Sequence, residues 1–190
     1  MNKNELIALF DMDGTLCDFD GALSKDLRKL ECPEEAEREY VWKDEPHIEA
    51  RKILIKSQPG WWENLPRLPV GYAILDIVLD AGFKIHVLTK GPYKTAAAWS
   101  EKLIWCRENL PPETLVTVTE DKGLVYGRIL VDDYPPYIEK WLQWRPRGLV
   151  IMPAHPYNKD FKHHNVVRYD NSPEIHSETI ERVAMSAIRK

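Results

Sequence analysis

The stretch Ala8-Leu9-Phe10-Asp11-Met12-Asp13-Gly14-Thr15-Leu16 constrains this chain more than any other. An apolar run stops at two aspartates one residue apart, and a glycine and a threonine follow. Side chains at i and i+2 of a strand face the same way, so Asp11 and Asp13 converge where the strand ends. Gly14 lets the backbone turn sharply behind them. Two carboxylates at the mouth of a parallel sheet make a hard, oxygen-rich site suited to Mg²⁺. One could attack a phosphorus atom while the other moves a proton.

The remaining apolar runs are spaced as an α/β protein spaces its strands. They cover 6–10, 84–88 (ending at Thr89), 115–118, 128–131 (ending at Asp132-Asp133), 148–152 and 165–169, the last read as an edge strand. Helical patterns lie at 72–81, 94–109 and 135–144, and a closing helix at 173–188 has Ser172 as its N-cap. Pro111-Pro112 and Pro135-Pro136 read as a loop signal and a helix start. Roughly seventy residues separate the first two strands, where a simple βαβ crossover needs about thirty in all. The excess holds charged helical patterns at 21–30, 33–43 and 46–55, punctuated by Pro33, Pro46, Pro59, Pro66 and Pro69. It reads as a small helical cap, 18–69, inserted into a core made of 1–17 and 70–190.

With 190 residues, 44% of them hydrophobic, the chain can bury a sizeable core. A net charge of -4 gives no electrostatic reason to expect long nucleic acid, though a small anion needs only a positive pocket. The three cysteines, Cys17, Cys32 and Cys106, have no CxxC spacing, which argues against a disulfide framework or structural zinc and for a reducing compartment. No apolar run reaches the length of a membrane span, and the N-terminal segment runs straight into a strand instead of forming a signal peptide. The expectation is a cytoplasmic protein without membrane contact. Oligomeric state is not legible, a homodimer being admitted.

Four polar signals fall at or just beyond the carboxyl ends of these strands: Asp11/Asp13, Thr89, Lys122 and Asp132/Asp133. In parallel sheets the active crevice lies at that edge. Taken alone, Thr89 reads as a turn residue and Lys122, within Glu120-Asp121-Lys122-Gly123, as a solvated lysine. The shared edge raises both. This ordered set resembles the haloacid dehalogenase-like phosphatase superfamily, whose DxDx[TV] motif, Ser or Thr, Lys and late acidic pair match Asp11 to Thr15, Thr89, Lys122 and Asp132-Asp133. The resemblance implies an α/β parallel sheet flanked by helices with a cap after the first strand, and Mg²⁺-dependent hydrolysis of a phosphomonoester. It implies Asp11 as nucleophile through an aspartyl-phosphate and Asp13 as acid and base. Thr89 and Lys122 would hold the phosphoryl group. Asp11, the main-chain carbonyl of Asp13, and Asp133 would hold the metal, with Asp132 as ligand or supporting partner.

A closer resemblance is to the 5'(3')-deoxyribonucleotidase family. It rests on Asp18-Phe19-Asp20 after the first motif, Pro59-Gly60-Trp61-Trp62, Leu65 to Pro69, Trp99 to Lys102, Thr119 to Lys122 and Leu130 to Asp133. It implies a nucleoside monophosphate substrate whose base meets Phe19, Trp61 and Trp62, and Lys102 as a second lysine near phosphate. A base stacks on aromatic faces for about 1–3 kcal/mol; the same tryptophans also serve as core packing. Three features depart from the family: Lys90-Gly91 after Thr89, where Lys90 would contact phosphate or narrow the pocket; Thr at position 15; and Tyr134-Pro135 after the acidic pair. His155, His163, His164 and His176 read as solvated or loop histidines, His86 as a partnered core residue, and 34–39 as the wet face of a cap helix. Rival readings are a sugar- or metabolite-phosphate phosphatase, a phosphoryl-receiver signalling domain and a non-catalytic binding protein; Asp13 and the long insertion speak against a receiver.

Overall fold

A computed structural model describes residues 6–35, 45–93 and 95–188. Six strands, β1 (Ile7–Phe10), β2 (Lys84–Thr89), β3 (Leu115–Val118), β4 (Ile129–Val131), β5 (Leu149–Pro153) and β6 (Val166–Tyr169), form one sheet in the order β3-β2-β1-β4-β5-β6. Every neighbouring pair is parallel. The strands coincide with the apolar runs to within a residue or two, and β6 lies at an edge as expected. The chain order reverses at β1, which pairs with β2 on one side and β4 on the other. Such a switch point opens a crevice at the carboxyl ends of the strands.

Both faces of the sheet are covered, which is why its strands read as continuous apolar runs. Ala8, Phe10, Val87, Val131 and Ile151 pack with Ile74 and Val78 of α3 (Pro69–Asp80), Trp105 of α4 (Ala97–Asn109) and Val183 of α6 (Pro173–Ile188). Leu9, Leu130, Val150 and Met152 face the other way, against Ile138 and Trp141 of α5 (Pro135–Trp144). Three of these observations refine the reading from sequence. Helix α3 starts at Pro69, three residues before its apolar period becomes visible, because proline suits the first helical turn. Helix α4 starts at Ala97, not at 94, and Lys94 lies outside the described residues. Ser172 sits at the start of α6, its carbonyl accepting from His176 N at 2.8 Å, but its hydroxyl donates to Asp170 Oδ1 (2.7 Å).

Between β1 and α3 the described residues form α1 (Phe19–Arg28), a 3-10 turn (Pro33–Glu35) and α2 (Pro46–Lys56). The expected helix at 33–43 and the surface at 34–39 fall mostly outside the described residues. Leu23 and Leu27 of α1 close on Ile48 and Ile55 of α2, with Phe19 and Trp61 against them, so the insertion has a small core of its own. Its two connections run side by side: Asp18 N donates to the Pro66 carbonyl (2.8 Å) and Leu68 N to the Leu16 carbonyl (2.9 Å). None of the three cysteines is joined in a disulfide. No helix among the described residues is long and apolar enough to cross a membrane.

Candidate active site

The first acidic residue is set by the ladder itself. Asp11 N donates to the Val131 carbonyl (2.8 Å), extending the β1–β4 pairing one step past β1 and bringing Asp11 beside Asp132. The chain then turns: the Met12 carbonyl accepts from Leu16 N (2.8 Å) and Cys17 N (2.9 Å). Gly14 takes φ +71°, and a Cβ there would stand 2.8 Å from Asp133 Oδ2. Both the conformation and the approach of the second acidic segment therefore require glycine. Thr15 Oγ1 donates to Asp133 Oδ1 (3.0 Å), tying the first motif to the last.

Lys122 comes from the linker between β3 and β4. That crossover is short and carries a single 3-10 turn, Lys122–Leu124, which packs on α5. Arg145 Nη1 donates to the Gly123 carbonyl at 2.7 Å and Trp141 Nε1 to Val125 O at 3.3 Å, fixing the turn at the sheet edge. Lys122 Nζ stands 2.7 Å from Asp11 Oδ1 and 2.8 Å from Asp132 Oδ2, over the ring of Tyr137. Burial works against its charge, but Asp11 and Asp132 outweigh that and hold its pKa above the ordinary lysine range. Asp132 Oδ1 accepts from Tyr134 N (3.0 Å). Asp133 Oδ2 accepts from the Tyr157 hydroxyl, and its carbonyl accepts from Asn158 Nδ2 (2.9 Å).

Asp11, Asp132 and Asp133 are all buried and can each present an oxygen within 4.8 Å of the others. One lysine does not neutralise three carboxylates. Burial, together with the charge of Asp11, raises Asp133, and burial with Asp11 and Asp133 raises Asp132 despite the opposing pull of Lys122. Such a cluster is compatible with a bound cation. Its donors are hard oxygens of the kind Mg²⁺ takes.

Asp13 faces the cleft from the other side. Its Oδ2 accepts from Lys102 Nζ (2.5 Å), which also donates to Thr89 Oγ1 (3.0 Å) and the Lys90 carbonyl (3.1 Å) and sits 4.7 Å from the Trp62 ring centre. Thr89 therefore accepts from Lys102 and keeps its own proton to donate. Burial raises the Asp13 carboxyl, Lys102 pulls it down, and Asp11 adds to the rise.

A cleft of about 480 Å³ opens over these groups. Among the expected substrate contacts, Phe19, Trp62 and Lys90 line it beside Asp11, Asp13, Lys122 and Asp133. Thr89, Asp132, Trp61 and Lys102 are not among its lining residues. Trp61 packs edge-on against Phe19 and Trp62 and donates its indole N–H to Asp26 Oδ2 (2.9 Å), placing it behind the aromatic wall. Lys102 is fully buried, so it meets Asp13 and Thr89 instead of open cleft. His155, expected to be a solvated or loop histidine, lies in the loop after β5 and is half-buried there: its Nε2 bonds the Gly14 carbonyl (2.7 Å) and its ring stacks on Tyr157. His163 and His164 are exposed, His176 bonds the Tyr169 hydroxyl (2.7 Å), and half-buried His86 bonds Thr117 Oγ1 (2.7 Å). Tyr157, Lys56 and Glu101 were missed from sequence. Tyr157 follows β5 at the same carboxyl edge as the other motifs, a position that signals the site once all four inner strands are considered.

The family model for "5' nucleotidase, deoxy (Pyrimidine), cytosolic type C protein" matches residues 5–184. The chain belongs to this family. A Bordetella pertussis protein named "Putative 5'(3')-deoxyribonucleotidase" is 27% identical over 164 residues, covering 82% of this chain and 87% of that one. The human "5'(3')-deoxyribonucleotidase, cytosolic type" is 26% identical over 141 residues, covering 66% and 69%. The nucleotidase fold is that of a crystal structure titled as a putative haloacid dehalogenase-like hydrolase from Burkholderia xenovorans LB400, with a TM-score of 0.57 at 16% identity over 97% of this chain and 99% of that one. The protein is a phosphatase of the 5' nucleotidase family with a haloacid dehalogenase-like fold, not a receiver domain.

Proposed function

We propose that this nucleotidase hydrolyses nucleoside monophosphates, deoxyribonucleotides among them, to nucleoside and phosphate through an aspartyl-phosphate on Asp11. The observation that carries the reading is the convergence of Asp11, Asp13, Lys122 and Asp133 on one cleft walled by Phe19 and Trp62. A planar base has aromatic faces to stack on at one end while its phosphate meets the carboxylates and lysine at the other. The names of the Bordetella and human relatives support the same substrate class.

In the first half-reaction a carboxylate oxygen of Asp11 bonds to phosphorus as the bond from phosphorus to the ester oxygen breaks. Asp13, whose carboxyl burial pushes up against the pull of Lys102, gives a proton to that departing oxygen. In the second, Asp13 takes a proton from water, the water oxygen bonds to phosphorus, and the acyl-phosphate bond breaks to restore Asp11. Lys122, 2.7 Å from Asp11, steadies that carboxylate and balances charge on the phosphoryl oxygens, which Thr89 meets with its hydroxyl proton. Asp11, the carbonyl of Asp13, and Asp133 would hold Mg²⁺, which supplies further neutralisation of phosphoryl charge. Asp132, fully buried outside the cleft, is read as the partner that fixes Lys122.

Residues 18–69 act as a cap over this chemistry, hinged at the paired segments near Cys17 and Arg67. A cytoplasmic setting belongs to the same reading and is supported by three cysteines that form no disulfide. The test is phosphate release from ribo- and deoxyribonucleoside monophosphates and from sugar phosphates, with Mg²⁺ and with chelator. Nucleotides are expected to react fastest and only with the metal; equal rates on sugar phosphates would defeat the base pocket.

A further inference from the structure

The cap side of the cleft brings two lysines, beside Asp20 and Glu49, that the chemistry at Asp11 does not use. Lys52 and Lys56 stand one turn apart on α2, and both line the cleft. Like charges at that spacing repel. Glu49 Oε1 meets Lys52 Nζ at 2.5 Å, whereas no carboxylate among the described residues lies within ion-pair reach of Lys56. Lys56 is half-buried, and the Trp62 indole N–H donates to its carbonyl (3.0 Å), which fixes the end of α2 over the aromatic wall. Lys90 lines the cleft from the core and likewise has no carboxylate partner there; its ammonium lies 5.7 Å from the centre of the Tyr137 ring.

Position decides what this charge faces. Lys122 and Thr89 already serve the phosphoryl group that moves. Lys56 belongs to α2 of the insertion whereas Lys122 and Thr89 belong to the core, and Lys56 and Lys122 line the same cleft. Lys56 therefore faces the portion of the substrate that leaves as the alcohol. Burial disfavours the Lys56 ammonium and the charge of nearby Glu49 offsets that only in part, so an anion arriving with the substrate lowers the cost.

We propose that Lys56, flanked by Lys52 and Lys90, forms a second anion subsite, and that the preferred substrates are phosphomonoesters with a further phosphate on the alcohol portion, deoxynucleoside 3',5'-bisphosphates in particular. The inference rests on the reading of the site as a nucleotide phosphatase. Its test compares catalytic efficiency, with Mg²⁺, on thymidine 5'-monophosphate and thymidine 3',5'-bisphosphate for the unmodified enzyme, Lys56→Met and Lys56→Arg. The unmodified enzyme should favour the bisphosphate about tenfold or more. Lys56→Met should erase most of that ratio, chiefly through KM, and Lys56→Arg should keep it. A ratio near one in the unmodified enzyme, or one that Lys56→Met leaves unchanged, overturns the subsite. If neither ester is hydrolysed, the nucleotidase reading fails separately, and calorimetric titration with the same two compounds decides. Tighter binding of the bisphosphate that Lys56→Met abolishes upholds the subsite; equal binding of the two compounds overturns it.

Discussion

Lys122 neutralises Asp11 and Asp132 at once, and it does so almost entirely out of water. Removing one partner of a buried ion pair costs about 3–5 kcal/mol, because the other charge stays behind. Lys122→Met should therefore lower the melting temperature of metal-free protein in thermal denaturation, with most of the loss recovered in Mg²⁺, as well as reducing turnover. Tyr157 acts on Asp133 in a different way, by orienting the carboxylate proposed to hold the ion. Groups that orient metal ligands typically contribute about 10–100-fold in affinity, so Tyr157→Phe should weaken Mg²⁺ binding in calorimetry by roughly tenfold; unaltered binding would remove Tyr157 from the site. At this scale the sequence was most legible where chemistry is local: the aspartate pair and Gly14 lie within four residues of each other. Lys102 was read as a phosphate contact because its burial behind Asp13 depends on where α4 docks, which no local pattern records.

Helix α4 joins the core to the insertion. Glu101 Oε1 accepts from Gly60 N (3.0 Å) and Oε2 from Trp62 N (3.1 Å), while Trp105 Nε1 donates to the Leu65 carbonyl (2.7 Å). The same helix presents Lys102 to Asp13, so the turn that carries Trp62 and the proposed acid share one support. Glu101→Ala strands two N–H groups, one of them buried, and should cost about 2–3 kcal/mol in denaturant unfolding. Because Trp62 would then lose its anchor, KM for nucleotides should rise more than kcat falls. A kcat loss alone would place Glu101 with the chemistry instead. Element types and order were legible because strands buried on both faces leave unbroken apolar runs and prolines mark the helix starts. The start of α4 was not legible: its apolar residues do not concentrate on one face, since Trp105 and Cys106 are buried while Trp99 and Leu103 remain partly exposed.

The whole molecule assembles its site from segments more than a hundred residues apart, and the cost is a concentration of buried negative charge. In metal-free protein Asp132 and Asp133 are pushed up to about 7, while unfolded aspartates titrate near 3.9. The folded state then binds more protons than the unfolded one between these values, so stability falls as pH rises through that window. Metal-free protein should melt at a higher temperature near pH 5 than near pH 8, and saturating Mg²⁺ should flatten the difference. A profile identical with and without the ion would mean that the acidic cluster is not its site. The sheet edge made this convergence legible at the molecular scale, but how the cap sits over the cleft was not, because its contacts are between residues that no periodicity links. The central claim is that Asp11 becomes phosphorylated during turnover, and the most direct measurement is mass spectrometry of enzyme acid-quenched while hydrolysing a deoxynucleoside monophosphate. The account predicts the mass of one phosphoryl group on the peptide containing Asp11, absent in Asp11→Asn; steady turnover with that peptide unmodified, or a phosphoryl group on another residue, would contradict it.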